Sequence, residues 1–364
     1  MATYKVLAIN PGSTSTKIAV YFNTHVRFTR NIKHSPEELA PFKKITDQFE
    51  FRKNLIIREL LSDDIKLEEL SCIVGRGGLI HPIPSGVYEV NEAMKHDLVH
   101  SPLGEHASNL GGLIADNLAK EIPGVKAYIT DPVVVDEMQE VARFSGHPLF
   151  KRISIFHALN QKAIARLHAE SKDLQYEDLN LIIAHLGGGI SVGAHRKGRV
   201  IDVNNALDGE GPFSPERSGT LPTGQLIEMA YSGNYSKQEM KLMIKGQGGM
   251  VAFMGTNDAW EVEMKAIDGD PEAIAVQDAM CYQIAKQIGS MATVLEGKVD
   301  AILLTGGIAH NKYLVEYVGK MVSFIAPIVV YPGEDELKAL AFAGLRVLQG
   351  KVEPKTYNGE SKPE

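Results

Sequence analysis

Val6-Leu-Ala-Ile-Asn-Pro-Gly-Ser-Thr-Ser-Thr-Lys-Ile-Ala-Val20 and, about half a chain later, Ile182-Ile-Ala-His-Leu-Gly-Gly-Gly-Ile-Ser-Val-Gly-Ala-His195 are built to one plan. Each is an apolar run, a single polar residue at its end (Asn10, His185), a turn of small residues, and a second apolar run. Alternating β-branched residues around a glycine turn read as two strands joined tip to tip. A second pair follows in the same order: Cys72-Ile-Val-Gly-Arg-Gly-Gly-Leu-Ile and Ile302-Leu-Leu-Thr-Gly-Gly-Ile-Ala-His are strand-then-glycine segments. Two related halves are the simplest account of this ordering.

Outward from these segments, strand patterns fall at 4–9, 17–22, 71–75, 126–130, 180–185, 190–195, 199–203, 300–305 and 327–331. Helical spacing marks 53–61, 103–120, 158–170, 272–296 and 336–349. In the longest of these, Ile274, Met280, Ile284, Ile288, Met291 and Leu295 are expected to form one buried stripe. Strands mixed with helices of this length predict an α/β protein. The 364-residue length fits two domains. The polar stretch 351–364 is expected to fray.

Composition narrows the function. With 38 Lys+Arg against 45 Asp+Glu the formal charge is −7, so bulk attraction to nucleic acid or an anionic membrane is excluded. Cys72 and Cys281, each in an apolar setting, read as small buried hydrophobes. The N-terminus enters a strand pattern without a signal-peptide profile, and no apolar run approaches membrane-spanning length; the expectation is a cytoplasmic protein.

The 34 glycines cluster at turns suited to ligands. Ser13, Ser15 and Lys17 surround the first tip, where amides, hydroxyls and one ammonium can wrap a phosphate, although polar hairpins are common. Gly187-Gly188-Gly189 permits close approach of a ligand to the backbone, and three in a row exceed what a bulge needs. Gly189-x-Ser191-x-Gly193 matches the nucleophile elbow of serine hydrolases, but the strand pattern after it fails the strand–turn–helix requirement. Gly306-Gly307-Ile308-Ala-His-Asn311 lies between a strand and a helical segment from Tyr313, a place where anionic groups are favoured. Arg76 and Arg217, each in a short glycine-rich turn, offer forks suited to phosphate or carboxylate oxygens. Asp131, at a strand end before Pro132, fits either a Mg²⁺ ligand or a turn cap. His157 fits either a core hydrogen-bonding residue or a catalyst. The acidic run Glu334-Asp335-Glu336 suits a helix N-terminus whatever its function.

In order along the chain, Asn10-x-Gly12-Ser13-x-Ser15-x-Lys17, Arg76-Gly-Gly, Phe156-His157, His185-Leu-Gly-x-Gly189-x-Ser191, Glu216-Arg217-Ser218-Gly219 and Gly306-Gly-Ile-Ala-His-Asn311 resemble the acetate/butyrate kinase family. That family belongs with sugar kinases, heat-shock chaperone ATPases and actin. The resemblance spans Lys5 to about Leu348 and implies two duplicated ribonuclease-H-like domains. Each would hold a mixed five-stranded sheet flanked by helices, with the nucleotide in a cleft between them. On this pattern the N-terminal domain is 1–150 joined by a C-terminal helix at about 338–350, and the nucleotide-binding domain is 151–337.

The same resemblance implies reversible transfer of a phosphoryl group from ATP to the carboxylate of a short-chain fatty acid, with ATP/ADP and Mg²⁺ as cofactors and a homo-oligomer, dimer or higher. It assigns catalysis to Arg76, Arg217, His157, His185 and Asp131, and the metal to Asn10, Asp131 and Glu336. Nucleotide binding falls to Asn10, Ser13, Ser15, Lys17, Gly187, Gly188, Gly189, Gly306, Gly307, Ile308 and Asn311. Gly78, Leu103, Phe156 and Pro215 form the expected acyl pocket. Gly78 replaces a valine, Gly104 a histidine and Gln161 a histidine of acetate kinases, departures that make the chain more similar to butyrate kinases. Gly78 in particular is expected to make room for a longer tail. Kinases of acetate, propionate or branched acids remain alternatives, as does a sugar or polyol kinase using Asp131 as base. A chaperone-type ATPase would need a further peptide-binding domain, and the chain ends at Glu364.

Overall fold

The computed structural model describes residues 3–359. They form two compact units: residues up to Val135 together with the segment from Asp335, and Asp136–Glu334.

In the first unit, strands β1 (Lys5–Pro11), β2 (Ser15–Phe22), β3 (His25–Lys33), β4 (Cys72–Arg76), β5 (Val87–Glu89) and β6 (Lys126–Thr130) form one sheet in the order β3-β2-β1-β4-β6-β5. The β1–β2 and β2–β3 pairs are antiparallel, whereas β1–β4 and β4–β6 are parallel. In the second unit, β7 (Asn180–Leu186), β8 (Ile190–Arg196), β9 (Arg199–Val203), β10 (Ala301–Gly306) and β11 (Ile328–Pro332) are ordered β11-β10-β7-β8-β9. Here β7–β8 and β8–β9 are antiparallel, and β7–β10 and β10–β11 parallel. Read from the hairpin edge, the two sheets have the same order and the same directions, so the sequence repeat is a repeat of topology. β4 and β10, the strand-then-glycine pair, hold equivalent places. The first sheet adds β5, antiparallel to β6, as a sixth strand.

Both central strands are apolar on both faces, as parallel strands covered by helices must be. Val6, Leu7, Ala8, Ile9, Leu181, Ile182, Ile183 and Ala184 are completely buried. The helix Glu336–Leu348 packs on β1 and β4 of the first unit. The helix Ala158–Glu170 packs on β7 and β10 of the second. Both buried cysteines behave as small hydrophobes: burial pushes the Cys72 and Cys281 thiols up to about 12.

Several sequence expectations need correction. Ile274 is 38% exposed: it sits near the N-terminus of the helix Pro271–Val294, beside the stripe that Ala273, Val276, Gln277 and Met280 carry inward. The helix expected at 103–120 is Asn109–Lys120, because Ser101 ends the preceding helix Glu92–His100 in the left-handed conformation at φ 55°. β3 escapes the pattern because only Phe28 is buried in it, a charged edge strand being the usual defence against unwanted pairing. The tail does not fray up to residue 359. Lys355 N–H donates to Val87 O at 2.7 Å, and Tyr357 is buried with its hydroxyl on the Asp97 carboxylate. The last five residues of the expected tail, 360–364, lie outside the described residues.

Candidate active site

In the first unit, the tip between β1 and β2 is held from beneath by a residue that sequence patterns did not single out. Arg52 is completely buried on the helix Phe49–Ser62. Its guanidinium donates to Gly12 O (2.7 Å), Ser13 O (3.1 Å), Ser15 O (3.0 Å), Thr16 Oγ1 (3.0 Å) and Gln48 Oε1. The Thr14 carbonyl accepts from His34 N–H at 2.9 Å. All peptides here are trans, so each N–H points opposite the carbonyl of its own peptide unit, and the amides of Ser13 and Thr14, opposite the Gly12 and Ser13 carbonyls, turn away from Arg52. Ser13 and Lys17 are exposed on the tip, and Ser15 is half-buried.

Among the described residues no carboxylate pairs with Arg52. Burial lowers its pKa to about 10, so the charge persists at neutral pH beneath the tip. The signal was present in the sequence: Arg52 stands four and eight residues before Ile56 and Leu60, on the buried stripe of its helix.

His34, 4% exposed, bonds Thr16 Oγ1 through Nε2 at 2.8 Å, while its Nδ1 has no hydrogen-bond partner. Burial first, then the Arg52 charge, lower its pKa to about 4. The unfolded chain therefore binds a proton near pH 6.5 that the folded chain refuses until about pH 4. Folding stability is expected to fall as pH drops through that window, by up to about 3 kcal/mol from this group. Buried His195, held neutral, adds in the same direction. Urea unfolding of His34→Gln at pH 7 and pH 5 should show a smaller loss than the parent; an equal loss would clear His34 of the effect.

At the ends of β1 and β4, Asn10, Arg76 and Glu336 converge. Asn10 Nδ2 donates to Glu336 Oε2 at 2.5 Å, and Arg76 forms an ion pair with Glu336 and reaches Asn10 Oδ1 at 3.4 Å. Asp131, 1% exposed and held at φ 39°, accepts from Ser85 Oγ at 2.6 Å and Gly86 N at 2.9 Å. These bonds tie Asp131 to the segment Ser85–Gly86, not to the turn that follows it. Among the described residues no three His, Cys, Asp or Glu side chains gather into a metal cluster. Asn10 and Glu336 nevertheless present hard oxygen donors of the kind Mg²⁺ accepts alongside phosphate and water.

The expectation for Gly78 changes. A Cβ there would lie 2.3 Å from Asn109 Oδ1 and 2.6 Å from Asn109 Cα. Asn109 opens its helix, accepts Leu79 N–H at 2.9 Å and donates to Ser101 Oγ at 3.0 Å. Close packing of that helix therefore requires the glycine, and the space beside it is filled. Leu103, in the nearby turn, is 42% exposed. Gly78→Val should destabilise the chain by about 1–3 kcal/mol and reduce turnover of short and longer fatty acids in the same proportion. Selective loss of the longer substrate, read from kcat/KM, would restore the pocket reading.

In the second unit, His157 and His185 stack face to face, with ring centroids 3.8 Å apart and planes 14° apart. His185, almost completely buried at the end of β7, meets Asn160 Oδ1 through Nδ1 at 2.8 Å and lies 3.5 Å from Glu334 Oε2 through Nε2. Ser191 is buried inside β8, so the elbow reading of Gly189-x-Ser191-x-Gly193 finds no exposed nucleophile. The Gly187–Gly189 turn closes β7 on β8, with Gly187 N–H on Gly189 O at 3.2 Å.

Arg217 lies against this turn: a Cβ on Gly189 would be 1.9 Å from Arg217 Nη1. Nη1 donates to Ala206 O at 2.6 Å, Nε is buried without a partner, and burial lowers the guanidinium pKa. Phe156 and Pro215 are both buried.

Gly307, Ile308 and Asn311 line a cavity of about 280 Å³ together with Asn257, Asp258, Trp260 and Glu263. Gly306 is required by its backbone, φ 91° with Leu186 O where a Cβ would stand, whereas Gly307 faces open space. Asn311 caps the helix Lys312–Val322, accepting Leu314 N–H at 2.8 Å. The 257–263 wall went unread because it carries no glycine motif; its one signal is Trp260, the single tryptophan of the chain, 66% exposed.

This geometry can be set beside known proteins. Residues 149–325 match the model of the acetokinase family. Over 354 residues the chain is 56% identical to Butyrate kinase 2 of Clostridium acetobutylicum, covering 97% of this chain and 99% of that protein. The chain belongs to the acetokinase family. A probable butyrate kinase of Bacteroides thetaiotaomicron is 55% identical over 353 residues, with 97% of this chain and 99% of that protein covered. Among solved structures, the acetate kinase of Porphyromonas gingivalis superposes with a TM-score of 0.77 at 19% identity, over 95% of this chain and all of that one; at that identity the likeness concerns the fold. Among the described residues no helix of this family member is long and apolar enough to cross a membrane.

Proposed function

We propose that the chain catalyses reversible phosphoryl transfer between ATP and the carboxylate of a short-chain fatty acid, butyrate foremost, giving an acyl phosphate. The observation that carries the reading is 56% identity across nearly the whole chain to a protein named butyrate kinase. The placed cations supply the physical support. A carboxylate is already nucleophilic, so the reaction asks for in-line placement and cancellation of charge. Two unit charges at 4 Å repel by about 4 kcal/mol at an effective dielectric near 20.

In this reading Arg217 and Arg76 hold the phosphoryl and carboxylate oxygens. Half-buried Arg217, whose buried Nε has no partner among the described residues, is suited to that task. His157 and His185 donate to the same oxygens. Asn10 and Glu336 hold Mg²⁺, which supplies neutralisation of the nucleotide phosphates. Ser13, Ser15, Lys17 and Gly187–Gly189 bind phosphate, and Gly307, Ile308 and Asn311 the adenosine. Phe156 and Pro215 remain as acyl contacts, with exposed Leu103. Asp131 keeps a positioning part at Ser85–Gly86, the segment it holds. A homo-oligomer, dimer or higher, belongs to the same reading, and light scattering checks it.

The test is a substrate series from acetate to valerate with isobutyrate, in the presence of ATP and Mg²⁺, scored as acyl hydroxamate. Butyrate should give the highest kcat/KM. A maximum at acetate would overturn the chain-length assignment, and phosphorylation of sugars without any hydroxamate would overturn the acceptor class.

A further inference from the structure

From the Nδ1 edge of His157 runs a line of polar side chains sealed in the core of the second unit. Gln161, Ser191 and His195 are completely buried and Tyr176 is 4% exposed. The contacts run Tyr176 Oη to His195 Nδ1 (2.6 Å), His195 Nε2 to Gln161 Oε1 (2.8 Å), Gln161 Nε2 to Ser191 Oγ (2.9 Å), and Ser191 Oγ to His157 Nδ1 (2.8 Å).

The proton positions follow from what each atom is able to do. Gln161 Nε2 also lies 3.1 Å from the Ser191 carbonyl oxygen, which only accepts. The amide nitrogen must therefore face Ser191, and Oε1 must face His195. An amide oxygen only accepts as well, so His195 carries its proton on Nε2. Burial, and then the nearby charges of Lys162 and Arg166, disfavour a second proton on that ring.

Ser191 Oγ receives the Gln161 N–H and, at 3.4 Å, the His157 backbone N–H. Among the described residues its own proton then has one acceptor within reach, His157 Nδ1. A proton on Nδ1 instead would strand a buried hydroxyl.

We infer that the buried line Tyr176–His195–Gln161–Ser191 locks His157 as its Nε2–H tautomer, so that His157 presents a donor. The tautomer of a histidine is set by the hydrogen bond at its other nitrogen. Gln161, one of the positions where the chain departs from the acetate kinases it resembles, is on this account a positioning residue acting through Ser191. The inference rests on the proposed function only for what the donor meets, an oxygen of the transferring phosphoryl group.

Long-range ¹⁵N–¹H NMR of the full chain with labelled histidine reads the tautomer directly; the His157 signals are assigned by their loss in His157→Gln. Nδ1 should appear pyridine-like and Nε2 pyrrole-like. In Ser191→Ala and Gln161→Met the Nδ1–H form should become populated. Butyrate kinase kcat should fall about tenfold to a hundredfold, with KM for ATP and butyrate nearly unchanged. A proton on Nδ1 in the parent protein overturns the inference, as does an unchanged tautomer in Ser191→Ala. Should Gln161→Met fail to fold, the parent spectrum and Ser191→Ala still decide. The spectra do not depend on turnover, so absence of acyl-kinase activity would remove the proposed function and leave the tautomer assignment standing.

Discussion

Arg217→Ala is expected to lower kcat for acyl phosphate formation at least about a hundredfold, the loss typical of removing a placed donor from developing negative charge. Three observations support so large a value. The guanidinium packs against the Gly189 turn, it spends Nη1 on Ala206 O, and its buried Nε has no partner among the described residues. The charge is thus fixed in place before any substrate arrives. Arg217→Lys should recover little, because an ammonium lacks the fork that can hold Ala206 O and still address a second oxygen. Thermal stability should be nearly unchanged in the lysine variant, separating chemistry from folding. Near-normal kcat in the alanine variant would remove Arg217 from the reaction.

Arg52→Met is expected to destabilise the chain by at least about 3 kcal/mol, since each buried acceptor stranded by the change costs about 1–3 kcal/mol. Gly12 O, Ser13 O, Ser15 O and Thr16 Oγ1 all lose a donor. The milder Arg52→Lys tests function, whereas the methionine variant tests folding. It keeps the charge but offers three donors on one nitrogen to acceptors that a planar fork now spans. A KM for ATP raised about tenfold, equivalent to about 1.4 kcal/mol of binding, is expected from a loosened tip. Unchanged KM in a folded lysine variant would make Arg52 a residue of the core alone.

Much of the architecture was legible without coordinates. Strand patterns at 126–130 and 199–203, and the helical pattern at 158–170, match the elements Lys126–Thr130, Arg199–Val203 and Ala158–Glu170. These segments pair an apolar period with a clear break at each end. β3 and the helix Thr223–Tyr231 went unread because they bury one residue and none, so their hydrophobic pattern carries no period. The turns proposed to bind phosphate were legible for a related reason: glycine and hydroxyl clusters such as Gly187–Gly189 and Ser13–Ser15 are rare enough to stand out locally.

The sequence by itself determined the two-fold plan, the acidic disulfide-free character, the glycine turns and the arginines beside them, because each is written in neighbouring residues. Only the tertiary structure showed that Gly78 packs against Asn109. It alone placed Arg52 under the tip between β1 and β2, docked Tyr357 on Asp97, and aligned Tyr176, His195, Gln161 and Ser191 beside His157. Glu336 meets Arg76 across 260 positions of chain, and Asn10 across 326. A contact of that separation depends on which strands pair and which helix returns to which sheet, and no local pattern of residues encodes it.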